Sequence, residues 1–245
     1  MDGGLMACLR EPDSEVVPGV RWGRPEQVPS PAFWAALARD ADEASHGYVD
    51  RDSTLEESVG FCLLGGYGIT AELNHAAFVR LRDVGAFHPP GLDEDQILGH
   101  LRAPLDVGRR RVRYRFPAQR AHRLAVAMDM LGDIELDTQS PLEVRRSLMT
   151  IPGIGPKTAS WIVRNWLGSD DVAILDIHIV RACQVMRLFG DKVSLPRDYE
   201  VLERRFLDFA HGLGVRASLL DALMWREMRE LRPRDLGLVN AFGVS

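Results

Sequence analysis

Of the 30 basic residues in this 245-residue chain, only Lys157 and Lys192 are lysines. In a chain that uses arginine almost everywhere, a lysine points to work arginine cannot do, which is to lose its proton and act as a nucleophile. Lys157 stands just past Gly153-Ile154-Gly155-Pro156, and Asp176 follows nineteen residues later within Ile174-Leu175-Asp176-Ile177-His178. An amine and a carboxylate are the two groups here whose types could do chemistry. Only the neutral amine is nucleophilic, and a free lysine, with a pKa of about 10.4, is mostly protonated at neutral pH. A helix N-terminus and partial burial both disfavour the ammonium, so Lys157 is expected in such a setting. Asp176 is also a natural helix N-cap, a role compatible with the chemical one.

The elements that must position these residues are helical. Ser140-Pro141-Leu142-Glu143 has the pattern of a capping box and opens a helix to about Thr150. Ile151 to Pro156 is a compact hairpin, and a second helix runs from Pro156 to near Gly168. Gly153 and Gly155 permit tight turns and leave amides uncovered at the positive end of that helix, a setting that suits a phosphate. Ala159 is small, as two closely packed helices require. Further helices are expected at Leu55–Leu64, before the break Gly65-Gly66-Tyr67-Gly68, and at Thr70–Arg82, Pro117–Gly132, Asp176–Phe189, Pro196–His211 and Ser218–Leu231. Residues 1–32 are proline-rich and read as loop. No strand-like alternation stands out, so the fold class is expected to be all-α.

Composition narrows the partners. A hydrophobic share of 46% supports a core without disulfides or a structural metal. No apolar run approaches the roughly 18 residues of a membrane span, so no membrane partner is expected. Residues 1–15 lack the basic start and apolar stretch of a signal peptide, which points to the cytosol. Cys8, Cys62 and Cys183 lie far apart, with no CxxC pair for a zinc ribbon or iron–sulfur cluster. The net charge is −5, yet seven arginines and no acid fall between Arg109 and Arg123, while seven acids and two arginines fall between Arg39 and Glu57. Two readings of this asymmetry stand: a face for polyanions, or a solvated arginine-rich face.

The run Leu148 to Val163, with its Gly-x-Gly turn and apolar positions on both sides, resembles the helix-hairpin-helix of DNA repair proteins. With Lys157 and Asp176 added, the chain resembles the helix-hairpin-helix/Gly-Pro-Asp superfamily of DNA glycosylases. The closest pattern is that of the 8-oxoguanine DNA glycosylase/AP lyases, in their compact microbial form. The resemblance runs from about Leu55 to Leu231 and implies a two-lobed fold with the active-site cleft between the lobes. One lobe is expected at 59–171 and the other at 1–58 plus 172–245. It implies Lys157 as the nucleophile and Asp176 as the carboxylate that assists base loss. It also implies Gly153, Gly155, Thr158 and His178 at DNA phosphates, and a monovalent cation at the hairpin carbonyls. No other cofactor and no metal ligand set is expected.

An enzyme acting on a base in duplex DNA flips it out and fills the gap. By resemblance, residues 61–70 are the gap-filling loop; the eukaryote-like enzymes carry asparagines there, whereas this chain has Gly66, Tyr67 and Gly68, making Tyr67 the candidate wedge. Tyr114-Arg115 resembles a pair in which the arginine contacts the orphaned base; a core tyrosine beside a surface arginine is the other reading. Asp221 and Trp225, four apart on one helix, resemble the base-pocket residues, with Trp161 as a second stacking wall; core packing is the other reading of the two tryptophans. The expected activity is excision of an oxidised purine, 8-oxoguanine, followed by β-elimination, by a monomer acting on double-stranded DNA. The alternatives are a glycosylase for another modified base and a non-catalytic DNA or nucleotide sensor of a defence system.

Overall fold

The computed structural model describes residues 10–41 and 52–231. Cys8 and most of the acidic segment between Arg39 and Glu57 lie outside the described residues. In chain order the elements are β1 Glu15–Val17, β2 Val20–Arg21, α1 Pro31–Asp40, α2 Leu55–Leu64, α3 Ala71–Asp83, α4 Glu94–Arg102, β3 Leu105–Val107, β4 Arg110–Val112, α5 Pro117–Asp133, α6 Pro141–Leu148, α7 Pro156–Leu167, α8 Ile177–Val185, α9 Tyr199–Leu213 and α10 Ala217–Glu230. The class is all-α, with two small antiparallel hairpins, β1–β2 and β3–β4. Their strands are two or three residues long, too short for an alternating pattern to register in the sequence.

The chain divides into two compact units, one holding residues 52–167 and the other 10–41 with 168–231. Residues 52–58 group with α2 because that helix begins at Leu55 behind a capping box, in which Thr54 Oγ1 accepts from the Glu57 amide and Glu57 Oε2 from the Thr54 amide. Asp93 and Gln96 form a second capping box at α4, a helix the periodicity did not reveal. Ser140, expected to cap α6 in the same way, makes no side-chain cap bond; the Glu143 amide donates to its carbonyl at 3.0 Å instead. α8 ends at Val185, a turn short of the expected Phe189. The chain reverses at Arg187, whose φ is +60°, and the Leu188 and Phe189 amides both return to the Cys183 carbonyl.

In the 52–167 unit an aromatic chain ties the helices together. Trp161 on α7 stacks with Phe61 on α2, Phe61 meets Phe78 on α3 edge-on, and Phe78 stacks on Phe87. In the flanking unit, Val20, Trp22, Ala32 and Trp34 enter one core with Leu175, Ile179, Phe206, Phe209 and Met224. The segment expected as loop, residues 1–32, therefore contributes a hairpin and the first two residues of α1, and α1 carries Trp34 into that core. No helix among the described residues is long and apolar enough to cross a membrane.

Gly60, in the middle of α2, faces the buried Phe87 ring, which occupies the space a Cβ would need. Alanine in a helix interior ordinarily gains about 0.5–1 kcal/mol over glycine. Overpacking a filled core costs about 1–3 kcal/mol, so Gly60→Ala is expected to lower the thermal midpoint by a few degrees despite its better helix propensity. An unchanged or raised midpoint in calorimetry would show that Phe87 moves aside freely.

Candidate active site

The hairpin between α6 and α7 is pinned from beneath by Ile151 and Ile154, both buried, with the Ile154 amide donating to the Ile151 carbonyl at 3.1 Å. Gly153 has φ +96°, and a Cβ there would stand 3.1 Å from Arg123 Cδ and 3.3 Å from Leu63 Cδ2, so glycine is required on two counts. Gly155 faces open space. The amides of Gly155, Lys157 and Thr158 find no acceptor among the described residues, whereas the Ala159 amide donates to the Gly155 carbonyl at 2.9 Å. These are the orphan donors of a helix N-terminus, presented on an uncovered surface. The carbonyls of Pro152, Gly153 and Ile154 likewise accept no bond among the described residues, a donor set of the kind a monovalent cation takes.

Lys157 is the second residue of α7 and is exposed, where partial burial was expected; Thr158 is half-buried and Ala159 fully buried. Three consecutive residues at the end of α2 serve this hairpin. Phe61 stacks on Trp161, with centroids 5.9 Å apart and planes at 19°. Cys62 feels the Lys157 charge, which draws its thiol pKa down, but burial is the larger effect and pushes that pKa well above the ordinary thiol range. Leu63 packs where a side chain on Gly153 would sit.

The same helix end launches the glycine loop. Gly66 (φ +113°) and Gly68 (φ +80°) flank Tyr67, which is 94% exposed. The loop beneath it is fastened. The Ile69 amide donates to the Gly66 carbonyl at 3.1 Å, and Asn74 Nδ2 to the Phe61 carbonyl at 3.2 Å. The Tyr114 hydroxyl donates to the Leu64 carbonyl. Tyr114 is 5% exposed, so its ring has no surface to offer a nucleic acid; it is a support of the loop, and the core reading of this residue holds. Burial pushes its phenol pKa up to about 12, with Arg120 pulling the other way, so the hydroxyl keeps its donor proton. Arg115 is exposed, lies over the Phe116 ring at 4.7 Å, and comes within 2.6 Å of where a Gly68 Cβ would stand.

Asp176 belongs to the flanking unit and caps α8: its Oδ1 accepts from the His178 amide at 2.8 Å and the Ile179 amide at 3.0 Å. Both cap bonds fall on one oxygen, which leaves Oδ2 for other work. The chain leading to it is buried and turns at Leu175, where the Asp176 amide donates to the Ile174 carbonyl at 3.1 Å; side chains satisfy the preceding amides in turn. Ala173 donates to Glu203 Oε1 at 3.0 Å, Ile174 to Asp221 Oδ2 at 3.1 Å and Leu175 to the Tyr199 hydroxyl at 3.2 Å. The Tyr199 hydroxyl in turn donates to the Ala173 carbonyl at 2.7 Å. Asp221, expected to face a base, is thus a buried support of the approach to Asp176. Trp225, one turn further along α10, is 44% exposed, with the Arg229 guanidinium 4.6 Å over its ring. His178 is half-buried, and its Nδ1 has no partner among the described residues. Glu203 and Tyr199 escaped the sequence reading, although an acid on the apolar stripe Tyr199, Leu202, Glu203, Phe206 of α9 was a legible signal.

A family model for 8-oxoguanine DNA glycosylase matches residues 58–215. The chain belongs to the 8-oxoguanine DNA glycosylase family. Among curated relatives, it is 31% identical over 121 residues to an 8-oxoguanine DNA glycosylase/AP lyase of Metallosphaera sedula, covering 46% of this chain and 57% of that protein. It is 32% identical over 117 residues to the enzyme of the same description from Methanocaldococcus jannaschii, covering 46% and 56%. The chain therefore spans a little over half the length of the curated relatives it matches. The crystal structure of the Methanocaldococcus jannaschii 8-oxoguanine DNA glycosylase superposes with a TM-score of 0.58 over 82% of this chain and 93% of that one, at 23% identity, a likeness of fold. Within the family match fall the hairpin, Lys157, the Tyr67 loop and Asp176; Asp221 and Trp225 lie beyond its end.

Asp221 and Trp225 separate support from surface. Asp221→Ala orphans the buried Ile174 amide and is expected to cost about 2–3 kcal/mol, whereas Trp225→Ala should change stability by less than about 1 kcal/mol. Chemical denaturation of both variants checks this. Equal losses would mean that Trp225 is a core residue.

Proposed function

We propose that this chain removes 8-oxoguanine from double-stranded DNA and then opens the abasic site by β-elimination. The observation that carries the reading is Lys157, an exposed lysine in the first turn of α7 beside the unpaired amides of Gly155, Lys157 and Thr158. Membership of the family, with curated relatives described as glycosylase/AP lyases, supports it.

In this reading the hairpin amides take a DNA phosphate, which positions the backbone without reading sequence. Carbonyls of the hairpin would hold a monovalent cation, adding positive charge at that phosphate. The neutral Lys157 amine bonds to C1′ as the bond from C1′ to the base breaks, and the electron pair leaves with the base. Asp176, through Oδ2, stabilises the positive charge that develops on the sugar. The attacking nitrogen then loses a proton and the C1′–O4′ bond opens, its electron pair going to O4′, which takes up a proton and leaves a Schiff base at C1′; loss of a proton from C2′ breaks the C3′–O bond and expels the 3′ phosphate. Trp225 supplies an exposed aromatic face for the extruded base, and Tyr67, held upright between two glycines, fills the gap it leaves. Arg115, beside that loop, meets the unpaired partner base.

The test is borohydride trapping on an 8-oxoguanine·cytosine duplex and on a plain abasic duplex. Wild type is expected to form a covalent complex with both, and Lys157→Gln with neither. Trapping on the abasic duplex alone would keep the lyase and discard the base assignment. Absence of trapping on either would discard the enzyme. Tyr67→Ala is expected to leave the melting temperature unchanged and to slow excision from a paired duplex at least tenfold. An equal rate would remove the wedge role.

A further inference from the structure

The arginine run is presented on a preformed arm. β3 and β4 pair in register, Leu105 with Val112, Asp106 with Arg111 and Val107 with Arg110, around a turn at Gly108 (φ +59°) and Arg109. Leu105 is buried and fixes the base of the hairpin. Arg80, on α3, fixes the chain that enters it, donating to the carbonyls of His100 at 3.2 Å, Ala103 at 3.0 Å and Pro104 at 2.9 Å. One guanidinium thus ties α3, the end of α4 and the approach to β3 together. Above this base Arg109, Arg110, Arg111 and Arg113 are all exposed. Arg111 has an ion-pair partner in Asp106 at 3.7 Å; the side chains of Arg109, Arg110 and Arg113 have none among the described residues. The run continues through Arg115 to the Tyr67 loop.

Like charges held this densely repel one another, and a polyanion relieves the repulsion. Guanidinium groups match phosphate oxygens in a two-pronged geometry that lysine does not offer. From Arg109 to Arg115 an extended chain reaches at most about 20 Å, and phosphates along one strand advance by about 3.4 Å each. The arm therefore spans on the order of five or six nucleotide steps.

We propose that the β3–β4 hairpin is a second contact to the DNA backbone, separate from the Gly153–Gly155 hairpin, in which Arg109, Arg110 and Arg113 grip phosphates on the flank of the site marked by Tyr67. The proposal rests on the DNA reading above. It assigns the hairpin to backbone positioning, so the affinity it adds is independent of sequence and of the damaged base.

The experiment measures binding to an undamaged duplex of about 25 base pairs, long enough to cover both contacts, as salt rises from 50 to 200 mM. Each lost phosphate contact lowers the slope of log affinity against log salt by about 0.9. R109Q, R110Q and R113Q are each expected to lower it by about that amount. The triple variant should shrink the fall in affinity across this salt range by about 40-fold. R102Q removes an exposed arginine on α4 and should leave the slope unchanged. Circular dichroism and melting curves matching wild type would attribute the loss to charge. Slopes unchanged in the triple variant, with trapping on the abasic duplex intact, would overturn the hairpin contact and leave the enzyme standing. An equal decrease in R102Q would overturn it in favour of diffuse charge. No salt-dependent binding by wild type would overturn both.

Discussion

Three consecutive buried amides, on Ala173, Ile174 and Leu175, constrain the flanking unit more than any other feature. A buried segment outside helix or strand has no regular partner to accept its N–H groups, and each left unpaired costs about 1–3 kcal/mol. Side chains from two helices meet that demand: Tyr199 and Glu203 from α9, Asp221 from α10. Because each acceptor fits one amide, the segment has one register, and its last residue, Asp176, arrives at the N-terminus of α8 already oriented. Two buried carboxylates are a costly way to hold a loop unless their bonds are made. Here each has a backbone amide to receive.

The 52–167 unit depends on the end of one helix. Phe61, Cys62 and Leu63 face the hairpin that carries Lys157, and the residues directly after them become the Tyr67 loop. A displacement of α2 would move the lysine's surroundings and the exposed tyrosine together. That explains the anchoring at this point: the Gly60–Phe87 contact, the aromatic chain through Phe78, and the Tyr114 hydroxyl on the last carbonyl of the helix.

Much of this was legible in the sequence, for physical reasons. Helices with a long apolar stripe, such as α5 and α9, announce themselves by period, and the hairpin by the spacing of Gly153, Gly155 and Lys157. The ten-residue α1 and nine-residue α4 were missed because turn signals surround them. What escaped the site reading was depth. Asp221 was singled out as an acid on an apolar helix face, but a sequence shows that a polar residue sits among apolar ones without showing whether it faces solvent or an orphaned amide; Tyr114, singled out by resemblance, likewise gave no sign of its burial. Ser140 illustrates the same gap at a helix end, where the Glu143 amide turns to the serine carbonyl rather than to the hydroxyl that the spacing suggested.

The flanking unit is built from two stretches of chain with the whole 52–167 unit between them. Val16 on its first hairpin packs against Gly212, near the end of α9, so closely that a Cβ on that glycine would stand 2.9 Å from the Val16 carbonyl. During synthesis, then, the early strands and α1 wait without their partners until α9 and α10 have emerged, while the interposed unit is already complete. Prior folding of that unit draws the two waiting segments' ends together and shortens the effective loop to be closed, which lowers the entropy of closure. Order of assembly is thereby written into the connectivity: the half that bears the lysine forms first, and the half that bears the aspartate closes last.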